Sequence, residues 1–179
     1  MKSRSSTKKV YVAISADILH EGHMNVLRKA AKLGNVTIGI LTDKAITSYR
    51  KLPHLNYSQR EIIIKNLKYV KNVVPQNTLD YSQNLLKLKP DYVVHGDDWK
   101  FGIQKKTRKK VIKILKKWSG KLVEIPYTKN VSKSLFKEKT LTTGTTPDVR
   151  KSKLTRLIEA KDIVRFLEVH NPIGGLIVE

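Results

Sequence analysis

The sequence predicts an α/β fold, a parallel sheet with helices on both faces. Short runs that are apolar on both faces mark buried strands, and segments of helical period separate them. Right-handed crossovers then give a Rossmann-like architecture. Residues 10–14 read as the first strand, and residues 20–33 as a helix with Val26, Leu27, Ala30 and Leu33 on one face. The second strand is 36–41, closed by Thr42-Asp43. A helix over 57–70 follows, with Ile62, Ile63, Leu67 and Val70 expected inward. A short strand at 72–74, a helix over 79–88 and a strand at 92–95 come next. A basic helix from Lys105 carries Val111, Ile114, Leu115 and Trp118 at helical spacing, and a strand at 121–125 ends the alternation. Ligands of such sheets bind beyond the carboxyl ends of the strands. The segments to inspect are therefore 15–23, 42–51, 95–100 and 126–134.

The texture changes after Thr140. Thr142-Thr143-Gly144-Thr145-Thr146-Pro147 is turn-rich, and Pro147 opens a helix over 148–160. Residues 163–169 read as one more buried strand, the opening of a second domain. The expected division is a domain at 1–140, a linker at 141–148 and a C-terminal helix–strand extension at 149–179.

Composition narrows the function. The 179 residues contain no cysteine, which excludes disulfides, thiolate catalysis and cysteine-bound metal centres. The apolar run at 10–14 soon meets Asp17, so it is a strand and not a signal peptide. No run approaches the ~18 apolar residues of a membrane span. These features lead us to expect a cytoplasmic protein. Charge is the strongest bias: 36 Lys plus Arg against 15 Asp plus Glu give +21 and a pI near 10.1. That balance invites a nucleic-acid reading. The excess is nevertheless spread evenly, +9 over residues 1–100 and +12 over 101–179. The densest run, 105–117, has eight basic residues and no acidic one. It is best read as an amphipathic helix with a solvated lysine face, with contact to anionic lipid or phosphate as the minor alternative. Nucleic acid is not the expected partner.

The chemistry concentrates where the first strand runs into His20-Glu21-Gly22-His23. Histidines three apart share a helix face. They stand over the unpaired N–H groups and positive dipole end that favour phosphate. Gly22 lets a ligand approach the backbone. An ordinary capping pair is the bland alternative; position at a strand end and helix start, with Asp17 just before, favours the phosphate reading. A two-histidine metal site lacks a third ligand nearby.

This stretch resembles the nucleotidylyltransferase superfamily, specifically the cytidylyltransferases. Three further segments strengthen the likeness: Lys51-Leu52-Pro53, Tyr57-Ser58-Gln59-Arg60, and Val93-Val94-His95-Gly96-Asp97-Asp98-Trp99, which is similar to the family's V-x-G-D-D-W. The resemblance implies that His20 and His23 bind the CTP triphosphate and stabilise the transition state, with Lys51 neutralising phosphate charge. It implies nucleotide contacts from Ser15, Ala16, Asp17, Gly22, Arg60, Gly96 and Asp97, and from Thr128, Ser132 and Ser134. It places Trp99 on the acceptor side, where core filling is the competing reading. Mg²⁺ or another divalent cation is implied as cofactor, and a homodimer as the assembly. One departure stands out. The family's T-x-G-I-S-T-T motif corresponds here to Thr128-Lys129-Asn130-Val131-Ser132-Lys133-Ser134. Losing one neutral hydrogen bond costs about 0.5–1.5 kcal/mol, at most about tenfold in rate.

Residues 165–175, Arg-Phe-Leu-Glu-Val-His-Asn-Pro-Ile-Gly-Gly, partly resemble the start of phosphoenolpyruvate phosphomutase. The expectation is the transferase part of a bifunctional phosphonate enzyme, cut just inside a mutase whose activity is absent. The acceptor expected on that basis is a phosphonate, 2-aminoethylphosphonate. Glycerol 3-phosphate, phosphocholine or phosphoethanolamine are the alternatives. A non-catalytic phosphate- or nucleic-acid-binding relative is the alternative of another class.

Overall fold

A computed structural model of the chain describes residues 7–126, 147–165 and 168. Contacts divide the chain into two units, 1–144 and 145–179. The described part of the first holds β1 (Lys9–Ile14), α1 (Glu21–Leu33), β2 (Asn35–Leu41), α2 (Asp43–Thr47), α3 (Tyr57–Lys65), β3 (Asn72–Gln76), α4 (Ser82–Leu88), β4 (Tyr92–Gly96), α5 (Lys105–Leu115) and β5 (Lys121–Ile125). Short 3₁₀ turns occupy Asp97–Lys100 and Lys116–Trp118. In the second unit α6 spans Pro147–Ala160.

All five strands are parallel, in the order β3-β2-β1-β4-β5. This is the Rossmann-like sheet expected from the sequence. Alternation along β1 sorts its side chains onto two cores. Val10 and Val12 join Leu27, Ala30, Ile38, Ile40 and Ile64 on the face covered by α1 and α3. Tyr11 and Ala13 join Tyr81, Leu85, Val93, Trp99, Val111 and Leu115 on the face covered by α4 and α5. Each fully buried side chain of Leu, Ile or Val size contributes about 1.5–3 kcal/mol.

Tyr11 shows how closely the strands are fitted. Its ring crosses Gly39 on β2, where an added Cβ would lie 1.9 Å from the hydroxyl. The hydroxyl donates to the buried Gln76 side chain at 2.5 Å. Glycine is therefore required at this close approach.

The structure differs from the sequence reading at four places. The 57–70 helix ends at Lys65, and Ile62 and Ile63 are exposed at 62% and 40%. The inward row is Arg60 and Ile64, one helical turn apart; three consecutive isoleucines leave the helix phase undetermined by hydrophobicity alone. α2 was not foreseen; Thr42 caps it by accepting the Ala45 N–H at 3.2 Å. β3 runs on through Pro75 to Gln76, which its edge position tolerates. In the C-terminal unit, residues 163–165 and 168 are not in a strand and Ile163 is 74% exposed, against the expected buried strand; the rest of 163–169 lies outside the described residues.

Candidate active site

Strand order reverses between β1 and β4, the switch point at which a parallel sheet opens a crevice. β1 pairs with β2 along its whole length but is in register with β4 only at Val10↔Tyr92 and Tyr11↔Val93. Past that short ladder lies a cleft of about 400 Å³. Its walls are Val12–Ser15 and Asp17 after β1, His20, Gly22 and His23 at the start of α1, and Tyr49 and Arg50 after α2. Opposite stand His95, Gly96 and Asp98 at the end of β4, with Ile125 and Pro126 after β5.

The β1–α1 turn is built by local chemistry. Ala16 is buried with φ at 55°, a left-handed backbone that a non-glycine residue adopts at a cost. His20 then serves as the N-cap of α1 in place of the usual serine or aspartate. Its Nδ1 accepts the Gly22 N–H at 3.1 Å, and the His20 N–H donates to Nδ1 of His23 at 3.4 Å. A nitrogen that accepts an N–H carries no proton, so each neutral ring must carry its hydrogen on Nε2. The two imidazoles, 4.0 Å between centroids, thus offer a pair of Nε2–H donors beside the helix N-terminus. Burial holds both below the ordinary histidine range; His23 falls to about 4, with His20 and Arg50 adding charge repulsion.

Asp17 does not present its carboxylate to the cleft unencumbered. Oδ1 accepts the Leu55 N–H at 3.0 Å, and Oδ2 takes Nδ1–H of His54 at 3.1 Å. Asp17 therefore moors the segment after α2. Arg60 moors it from the other side. Its guanidinium donates to Leu55 O at 3.1 Å, to Ser15 O and Leu41 O at 2.6 Å each, and to the Asp43 carboxylate. Arg60 is wholly buried. Where the resemblance implied a nucleotide contact, Arg60 ties the ends of β1 and β2 to the 55 segment through four of its five N–H donors and is not among the residues lining the cleft. The moored segment turns Arg50 into the cleft, its guanidinium 4.7 Å over the Tyr49 ring. Lys51 is exposed and is not among the lining residues.

At the end of β4 the core-filling reading of Trp99 describes its packing. Trp99 is buried, donates Nε1–H to Glu124 at 2.8 Å and stacks on His95 with ring centroids 3.9 Å apart, 3° from parallel. It forms part of the core and is not among the residues lining the cleft, whereas its neighbours His95 and Asp98 are. His95 donates Nδ1–H to Gly96 O at 2.8 Å, and burial keeps it below the ordinary histidine range. Below Trp99, Arg108 grips Glu124 through two hydrogen bonds of 2.8 and 3.0 Å. That grip, with the Trp99 hydrogen bond, holds the Glu124 carboxyl at about 2. Asp97, half-buried, lies outside the lining set where Asp98 lies within it. Thr128, Ser132 and Ser134, and with them the altered Asn130 motif, lie outside the described residues.

Residues 15–156, most of the chain, match the family described as cytidylyltransferase-like. The chain belongs to the cytidylyltransferase-like family. It is similar to the glycerol-3-phosphate cytidylyltransferase of Bacillus subtilis strain 168, at 32% identity over 51% of this chain and 73% of that protein. It is also similar to the FAD synthase of Korarchaeum cryptofilum, at 38% identity over 51% of this chain and 66% of that protein. Among solved structures, the lipopolysaccharide core biosynthesis protein of Thermoplasma volcanium GSS1 superposes with a TM-score of 0.58, covering 70% of this chain and 99% of that one. At 23% identity that likeness shows the fold.

In this cytidylyltransferase-like cleft the structure brings together Ser15, Asp17, His20, Gly22, His23 and Gly96, as the sequence motifs suggested. It adds Arg50, His95, Asp98 and Gln104, which sequence reasoning missed. Arg50 stood beside the lysine of the matching motif and His95 inside the V-V-H-G-D-D-W segment, so a signal existed for both. Among the described residues no group of three or more His, Asp or Glu could hold a metal ion. This donor set suits Mg²⁺ only as a partner carried by phosphate oxygens, the usual mode for that ion. No helix among the described residues is long and apolar enough to cross a membrane.

Proposed function

We propose that the chain transfers a cytidylyl group from CTP to a small anionic acceptor, with release of pyrophosphate. The carrying observation is the pair of Nε2–H donors of His20 and His23 at the start of α1, with Arg50 beside them in the switch-point cleft. An acceptor oxygen that already bears negative charge attacks the α-phosphorus. The bond from that phosphorus to the bridging oxygen breaks, and its electron pair leaves with pyrophosphate. No protein nucleophile is needed. The histidine donors and Arg50 stabilise charge building on the phosphoryl oxygens, so positioning and electrostatics supply the rate. A divalent cation, when bound through the triphosphate, neutralises part of its charge.

The acceptor we favour is a phosphonate such as 2-aminoethylphosphonate, because residues 165–175 resemble the start of a phosphonate-forming mutase. Glycerol 3-phosphate is the second reading, favoured by the Bacillus relative. The test is pyrophosphate release with Mg²⁺, from CTP and separately from ATP, with 2-aminoethylphosphonate, glycerol 3-phosphate, phosphocholine and phosphoethanolamine in parallel. ATP is included because relatives include FAD synthases. Release is expected with CTP and strongest with the phosphonate. His23→Ala should lower it by roughly 10²–10³, the scale of losing a charge-stabilising donor. Faster release with glycerol 3-phosphate keeps the reaction and removes the phosphonate. Release from ATP alone overturns the cytidylyl assignment.

A further inference from the structure

Between Asp98 and Glu124 the chain has no acidic residue. The tip of the loop before α5 holds Phe101 and Ile103 at 79% and 67% exposure, the most exposed large apolar side chains among the described residues of the first unit. Gly102 between them turns at φ +69° with open space around it. α5 then buries Thr107, Val111 and Leu115 against the domain and leaves Lys105, Lys106, Lys109, Lys113, Lys116 and Lys117 exposed with the adjoining turn. Among the described residues none of these lysines forms a salt bridge with a carboxylate. An apolar tip that leads directly into a lysine-lined helix face suits a partner that is both anionic and apolar.

We propose that the Phe101–Ile103 tip and the lysine face of α5 form a docking surface for an anionic lipid bilayer. Phe101 and Ile103 enter the boundary between headgroups and acyl chains, while the lysines lie on the charged surface. Charge complementarity selects this occupant. A second copy of the chain would bring another +21 molecule against the same lysine field. Single-stranded nucleic acid would stack its bases on successive aromatic rings, whereas this tip has one ring beside an isoleucine. Asp98 and Gln104, the residues flanking the tip, line the cleft, so docking would hold the cleft mouth beside the membrane.

The test is co-sedimentation of the full chain with phosphatidylcholine vesicles and with equimolar phosphatidylcholine–phosphatidylglycerol vesicles. Binding is expected with the mixed vesicles only. Phe101→Ser with Ile103→Ser should weaken the partition at least about tenfold, through lost apolar insertion. Lys105→Gln with Lys109→Gln should weaken it roughly thirtyfold, at about fivefold per lysine. All four side chains are exposed, so both double variants should melt with the wild type. No partition into mixed vesicles, or partition insensitive to the serine pair, overturns the proposal. Tighter retention on polyuridylate, lost in the same variants, would assign the surface to nucleic acid. A dimer by light scattering that the serine pair splits would assign it to a second copy.

Discussion

His23 shows how one residue links stability to pH. Its folded-state value of about 4 lies below the ordinary 6.5 because burial disfavours the imidazolium. Between those values the unfolded chain binds the proton that the folded chain does not. Stability from this group is therefore full above about pH 6.5 and is lost as pH falls toward 4, by on the order of 3 kcal/mol. Calorimetric melting temperatures should rise from pH 4 to 6.5 and then level, and His23→Gln should remove much of that slope. Glu124 works in a separate window. Its value of about 2 against the ordinary 4.5 gives stability that is present above 4.5 and lost only as pH falls toward 2. Trp99→Phe would remove one donor to Glu124 while leaving the ring stack on His95 available. It should lower the urea midpoint by an amount equivalent to about 1–3 kcal/mol. KM for the acceptor should stay unchanged, because the ring does not reach the cleft.

The elements of the site were legible to different degrees, for physical reasons. The β1–α1 junction was plain because apolar period, a glycine and two histidines change over within a few residues. α3 was misphased because hydrophobicity places arginine outside, whereas four acceptors around Ser15, Leu41, Leu55 and Asp43 draw Arg60 inside. No local pattern announces carbonyls that converge only after folding. Trp99 was undecidable for a similar reason, since its Glu124 partner lies 25 residues away. Arg60→Ala would leave three carbonyls and a carboxylate without their donor. Removing one partner from such a buried network costs about 3–5 kcal/mol, which chemical denaturation can measure. Because Leu55 keeps only its Asp17 anchor, a concentration of CTP sufficient for the wild type should no longer saturate the variant.

At the scale of the whole molecule, +21 makes a field that no single contact describes. A nucleotide triphosphate and an anionic acceptor are both drawn into it. Exposed charges act over about 8–10 Å at physiological ionic strength and about 30 Å near 0.01 M. The apparent KM for CTP should therefore rise several-fold as salt increases across that range, with kcat changing less. An unchanged KM would mean that the lysines act only locally. Sequence periodicity was enough to read the layers of the fold, but not the width of the cleft. That width depends on how far β1 and β4 stay in register, a property of two strands about eighty residues apart.

The strand order also sets when the site comes into being. Ribosomes release the amino terminus first, at about 5–20 residues per second. β1, α1 and β2, with the histidine pair between them, are synthesised while the facing wall is still unmade. β4 is not synthesised until residue 92, and β5 not until residue 121. For those seconds the nascent chain carries its histidine motif with nothing yet made to stand opposite it. The motif by which the sequence is recognised is among the first parts completed, and the pocket in which it works is among the last.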